Sequence, residues 1–114
     1  MGILAVGRWR ARVGRPGGDT ESEFEFARDG TAMLVVGGKG AGTWTQTGPD
    51  TFSYRIREEL TGAQGAIEMG TIEIAQNAVL RGDEFVSEGN AVVRLANGTT
   101  AREAAIRITA RRLG

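Results

Sequence analysis

The sequence predicts an all-β protein, an antiparallel up-and-down barrel of about eight strands, and three observations carry that expectation. Apolar and polar residues alternate at period two along most of the chain, while helical periodicity is nearly absent. Eighteen glycines against two prolines punctuate the alternating runs with turn-forming residues. The runs follow one another through short connections, a meander that removes its exposed edges by closing on itself.

The first predicted strand, Arg8 to Val13, puts Trp9, Ala11 and Val13 on one face and Arg8, Arg10 and Arg12 on the other. Arg15-Pro16-Gly17-Gly18-Asp19 breaks it. Glu21 to Ala27 shows the cleanest alternation, with Ser22, Phe24 and Phe26 opposed to Glu21, Glu23 and Glu25. Antiparallel pairing of these two strands sets carboxylates against guanidiniums, favourable by a few tenths to about 1 kcal/mol per pair. Asp29-Gly30 turns the chain into Thr31 to Val36, where Met33 and Val35 are expected to face inward, as are Phe24, Phe26 and Phe85 on their own strands. The run Gly37-Gly38-Lys39-Gly40 leads into Gly42 to Thr47, and Gly48-Pro49-Asp50 into Thr51 to Glu59.

Leu60 to Gly65 reads as a loop. Ala66 to Leu80 exceeds an ordinary strand unless it bends, and Gly70 is where the irregularity is expected. Ile72, Ile74, Ala78 and Leu80 then share a face with Gln76; a bulge that shifts the register by one residue exchanges Gln76 for Glu73 as the interior polar group. Arg81-Gly82-Asp83 turns into Phe85 to Leu95, and Asn97-Gly98 is the strongest hairpin signal in the chain. Thr99 to Arg112 closes the meander with Ala104, Ile106, Ile108 and Ala110 inward. The alanine and arginine content of Ala101 to Arg112 also suits a helix, but the hairpin turn before it and the alternation of Ile106 and Ile108 favour the strand.

At 114 residues, 40% of them apolar, the chain is expected to form one domain over residues 1–114, burying roughly 65% of its unfolded surface. Fourteen cations, thirteen of them arginine, balance fourteen acids, which argues against general nucleic-acid binding and against a polybasic membrane segment. The absence of cysteine and histidine removes the usual zinc ligands, a cysteine nucleophile and any Ser-His-Asp arrangement. Met1 to Val6 lacks a basic region and a cleavage pattern, and no apolar run approaches the length of a membrane helix. A soluble, cytoplasmic protein is expected.

The opening Gly7-Arg8-Trp9 resembles the start of lipocalins and other calycin barrels. That resemblance implies a tryptophan packed at the closed end of the barrel against an arginine from near the chain terminus, here Arg107, Arg111 or Arg112. The segments Phe26–Thr31, Gly40–Phe52 and Ile74–Phe85 are similar to small bacterial calycin-like proteins with an allene-oxide-cyclase-like barrel. Within that group the architecture is also similar to the spirotetronate and spirotetramate cyclases of polyketide pathways, which perform a cofactor-independent Diels–Alder-type cycloaddition.

Candidate site residues follow from polar groups on apolar faces. Glu58, on the face of Phe52, Tyr54 and Ile56, reads either as a buried acid that donates a hydrogen bond to a ligand carbonyl or as a solvated residue at the strand end. Gln76, among Ile72, Ile74 and Ala78, orients a carbonyl or satisfies a neighbouring polar group. Trp44 and Gln46 share a face and, with Tyr54, supply aromatic walls and a polar handle, or ordinary core. Tyr54, Gln76 and Glu58 are thus the catalytic candidates, and Trp44, Gln46, Phe24, Phe26, Met33, Ile56, Ile74 and Phe85 the substrate-binding ones. The Gly37–Gly42 run lacks the Gly-Lys-Ser/Thr signature of a phosphate loop; it suits a hairpin loop or a lid.

The leading expectation is a cofactor-independent cyclase or isomerase acting on a hydrophobic, polyketide-like small molecule inside the barrel. A non-catalytic carrier of such a molecule is the alternative, and a fully packed structural module the third reading. No cofactor and no metal is expected; for haem, only Tyr54 or a methionine is on offer as ligand. No nucleic-acid or membrane partner is expected, and a homodimer through an outer strand face is compatible with the pattern.

Overall fold

The computed structural model describes residues 5–15, 18–36, 39–61 and 68–113. Eight strands follow in order: β1 (Gly7–Arg15), β2 (Gly18–Phe26), β3 (Thr31–Val36), β4 (Gly40–Gln46), β5 (Thr51–Thr61), β6 (Glu68–Arg81), β7 (Glu84–Leu95) and β8 (Thr100–Leu113). Each pairs antiparallel with its neighbours in sequence, and β8 pairs with β1, so the sheet is a closed barrel. The last segment is a strand, not a helix. Closure gives every strand two partners, which a meander of amphipathic strands otherwise leaves unmet at its edges.

The β1–β2 ladder carries the charge pattern read from the sequence. Arg8 faces Glu25, Arg10 faces Glu23 and Arg12 faces Glu21, while Trp9, Ala11, Val13, Ser22, Phe24 and Phe26 are buried. On β3 the inward set is Ala32 and Leu34, and Met33 is 41% exposed. The expectation that Met33 and Val35 line the interior is therefore corrected. The turn decides this: Thr31 accepts from the Ala27 amide and donates to the Asp29 carboxylate, which sets the register, and with a period of two that register turns Ala32 and Leu34 inward and Met33 outward.

β5 to β8 are 11 to 14 residues long, against 6 to 9 in β1 to β4, so the later half of the chain builds the taller wall. β6 bends at Gly70, as expected: its φ of +145° is one that a side chain disfavours, and the β5–β6 register shifts opposite it at Leu60/Thr61. Beyond that bend the register places Gln76 inside, 2% exposed, and turns Glu73 outward towards Arg94.

The barrel has two distinct ends. One carries the β2–β3, β4–β5 and β6–β7 turns together with Ala5, Val6 and the end of β8. There Trp9 is wholly buried and its indole donates to the Ala5 carbonyl at 2.9 Å. The Arg112 guanidinium lies 4.2 Å from the Trp9 ring centroid and donates to the Val6 carbonyl, a cation–π contact that pins the first and last strands together. Of the three candidate arginines, Arg112 takes this place. Among the described residues no helix is long and apolar enough to cross a membrane.

Candidate functional site: a polar chain in an aromatic interior

All seven aromatic residues of the chain point inward and form one cluster. Phe26 lies 5.2 Å from Tyr54, 5.6 Å from Phe52 and 6.2 Å from Trp44, centroid to centroid, and Phe85 lies 4.9 Å from Trp9 and 5.2 Å from Phe52. Most of these pairs are edge-to-face, the arrangement in which a ring's positive edge meets its neighbour's negative face. Alternation at period two delivers the rings to the interior, and the mutual contacts fill the turn-bearing end. Phe24, Phe26 and Phe85 are thus committed first to one another.

Within this apolar interior sit three hydrogen-bonded side chains from three strands. Tyr54 on β5, Gln76 on β6 and Ser87 on β7 are each at most 2% exposed. The Tyr54 hydroxyl is 2.8 Å from Ser87 Oγ, Ser87 Oγ is 2.8 Å from Gln76 Oε1, and Gln76 Nε2 donates to the Ile106 carbonyl at 3.3 Å. The direction of the chain follows from its far end. A carbonyl only accepts, so the Gln76 amide must turn its NH2 to Ile106 and its oxygen to Ser87. Ser87 has one proton and gives it to Gln76, so Tyr54 donates to Ser87. Burial pushes the Tyr54 phenol far above its ordinary value of 10.0, against a smaller lowering by the Ser87 hydrogen bond, and keeps it protonated.

Backbone geometry brings the chain together. Tyr54 faces Gln76 across β5–β6, and Gln76 faces Gly89 across β6–β7. A Cβ at Gly89 would stand 1.8 Å from the Ala75 carbonyl oxygen, so only glycine lets β7 crowd β6 beside the glutamine. Ser87, two residues earlier on the same face, is the member that the sequence reading missed. It carries the same signal as Gln76, a polar residue in register with Phe85 on an inward face.

The remaining candidates are distributed elsewhere. Ile56 and Ile74 face one another across β5–β6, buried, on the side of the chain away from the turn-bearing end. Glu58 continues the same face of β5 and is partly buried, but at roughly 3.3 Å per residue it lies about 13 Å along the strand from Tyr54. It is not part of the hydrogen-bonded chain. Trp44 is buried and its indole donates to the Ala27 carbonyl at 2.7 Å. Gln46 donates to the Gly48 carbonyl at 3.0 Å, and both residues line a groove beside the 27–30 and 47–50 turns, apart from Tyr54. Met33 faces outward and contributes no wall. Of the expected lid, Gly37 and Gly38 lie outside the described residues and Gly40 to Gly42 belong to β4.

Chemically, the chain leaves the second N–H of Gln76 as a donor and the Tyr54 oxygen as an acceptor. Among the described residues no group of three or more histidine, cysteine, aspartate or glutamate side chains could hold a metal ion. Comparison with known proteins finds no matching family model, no matching curated protein and no matching solved structure.

Proposed function

We propose that this barrel takes a hydrophobic, polyketide-like small molecule at the end opposite the aromatic cluster and promotes its cofactor-independent cyclisation or isomerisation. The observation that carries the reading is the Tyr54–Ser87–Gln76 chain, three uncharged polar groups joined by hydrogen bonds inside a largely apolar interior. Above it, Ile56, Ile74 and Ile106 are buried and Ile72, Val93 and Ala104 only partly so, an aliphatic lining suited to an apolar guest. Confinement of a flexible chain in a reactive conformation removes the entropic part of a ring-closing barrier. The free N–H of Gln76 polarises a carbonyl of the guest, held in place by Ser87 and Ile106 rather than by water. Ring closure of the Diels–Alder type forms its new carbon–carbon bonds from π electrons already present, so it requires no proton donor beyond that hydrogen bond.

A second reading, a carrier of the same class of molecule, is favoured by the internal balance of the chain. Every Tyr54 and Ser87 proton already has an acceptor, and no group in it is activated as an acid or base. The two readings part in one experiment. The pure protein is incubated with a small-molecule extract of its source, and retained compounds are compared before and after by liquid chromatography and mass spectrometry. A retained compound that returns with a new retention time at unchanged mass, lost in Gln76→Leu, supports the cyclase or isomerase. Return of every retained compound unaltered supports the carrier, and retention of none refutes both.

A further inference from the structure

Around the outside of the barrel the charges stand in rows, and five of the described arginines, Arg8, Arg10, Arg94, Arg111 and Arg112, form ion pairs with an acid. Arg8 and Arg10 on β1 lie 3.2 and 3.9 Å from Glu25 and Glu23 on β2, and Arg111 on β8 lies 3.0 Å from Glu84 on β7. On β5 the outward residues Arg55 and Arg57 make no ion pair among the described residues, as is also true of Arg12, Arg28, Arg81, Arg102 and Arg107. In register Arg55 faces Thr43 on one side and Ala75 on the other, and Arg57 faces Ala41 and Glu73. Glu73 is itself engaged by Arg94, 3.9 Å away.

The small neighbours leave space beside these two guanidiniums. A groove of about 210 Å³ runs over Ala41, Thr43 and Ala75 with Arg55, Arg57 and Glu73 on its walls. It continues past Arg57 into a hollow of about 460 Å³ bounded by Lys39 and Glu59. Lys39, Arg55 and Arg57 stand there against Glu59 and Glu73, and Arg94 beside Glu73 brings the local surplus to two positive charges on a chain with no net charge. Arginines two residues apart on one strand face stand about 7 Å apart at the backbone, a spacing from which two planar forks converge on the oxygens of one tetrahedral group.

We propose that this outer groove binds a phosphate-type oxyanion, gripped by Arg55 and Arg57 with Lys39 at the rim. The surplus of two positive charges matches a dianion better than a carboxylate. The site is separate from the interior chain, since outward and inward residues of β5 alternate, and its occupancy does not depend on what the barrel encloses.

The test is an amide NMR titration of the full chain with inorganic phosphate and with pyrophosphate, at constant ionic strength and with acetate as the singly charged control. The expected result is saturable shifts at Ala41, Thr43 and Arg55. The affinity should fall about tenfold in Arg55→Gln and in Arg57→Gln and stay unchanged in Arg12→Gln, whose arginine lies on the opposite charge ladder. Shifts that never saturate, or that persist undiminished in both β5 variants, overturn the proposal. Acetate binding as tightly as phosphate overturns the assignment to a dianion.

Discussion

At the end of the barrel that carries the 27–30, 47–50 and 82–83 turns, Trp9, Phe26, Trp44, Phe52 and Phe85 occupy the interior ring against ring. Towards the other end the buried inward positions include Val13, Ser22, Ile56, Ile74, Ala91 and Ile106, small or aliphatic, with the partly buried Glu58 beyond Ile56. The first end is also tied from outside, by Arg112 over Trp9 and by the indole hydrogen bonds of Trp9 and Trp44 to backbone carbonyls. The Tyr54–Ser87–Gln76 chain lies between the two. The difference teaches a division of labour within one small fold: a rigid, area-rich plug holds the barrel shut, which frees the aliphatic end from having to supply the same stability. Polar groups are tolerable at the junction because each of them finds a partner before it meets a ring.

The sharpest way to break this contrast is Phe26→Ala, which deletes the ring that touches five others. A loss of about 3–5 kcal/mol in urea unfolding is expected; a loss under 1.5 kcal/mol, on the same order as a small aliphatic trim, would show that the plug does not dominate. Next is Ser87→Ala, which orphans the Gln76 oxygen and the Tyr54 proton together, at about 1–3 kcal/mol for each group. Adding Tyr54→Phe to that variant should restore part of the loss, because only one orphan then remains. Strict additivity of the two substitutions would mean that the hydroxyls are not coupled.

The pH dependence is smaller, and its sign follows from the raised Tyr54 value. The unfolded chain gives up this proton at its ordinary value of about 10.0, while the folded chain keeps it to higher pH. Stability is therefore fully present below pH 10 and falls above it, by about 1.4 kcal/mol per pH unit until the buried phenol itself ionises. Tyr54 is the single tyrosine, so unfolding midpoints across that range should slope downward in the natural chain and lose that component in Tyr54→Phe. Equal slopes in the two proteins would place the phenol in contact with water. The smallest effect is expected at the aliphatic end. Ile72→Val, at a partly buried position packed against the core, should cost less than about 1 kcal/mol, and a thermal midpoint shifted as far as that of Phe26→Ala would erase the distinction between the ends.

Much of the fold was legible because strand periodicity writes the inside and outside of a residue directly into the order of the chain. Trp9, Ala11 and Val13, Phe24 and Phe26, Phe52, Tyr54 and Ile56 all fall where alternation puts them. Met33 and Val35 did not, since alternation gives two phases and size alone does not choose between them; the hydrogen bonds of the Asp29-Gly30 turn did. Gln76 was legible as a polar residue on an apolar face, and Gly70 as the place where a long strand must bend. Its partners were not, because Ser87 and Ile106 lie 11 and 30 residues away in the chain, and only the closure of β6, β7 and β8 side by side brings them to hydrogen-bond distance.

The sequence by itself determined that this chain is all-β, where its strands run, that its arginines and glutamates meet on the outside and that its aromatic residues meet within. Those are consequences of local geometry: a strand turns each successive side chain to the opposite face, and glycine-rich turns limit which strands are neighbours. The tertiary structure alone decided which arginine covers Trp9, which face of β3 is buried, and that Tyr54, Ser87 and Gln76 form one directed chain of hydrogen bonds while Glu58 stands apart. Such contacts depend on register and on the stagger of a closed sheet, where a shift of one residue exchanges every inward group for its neighbour.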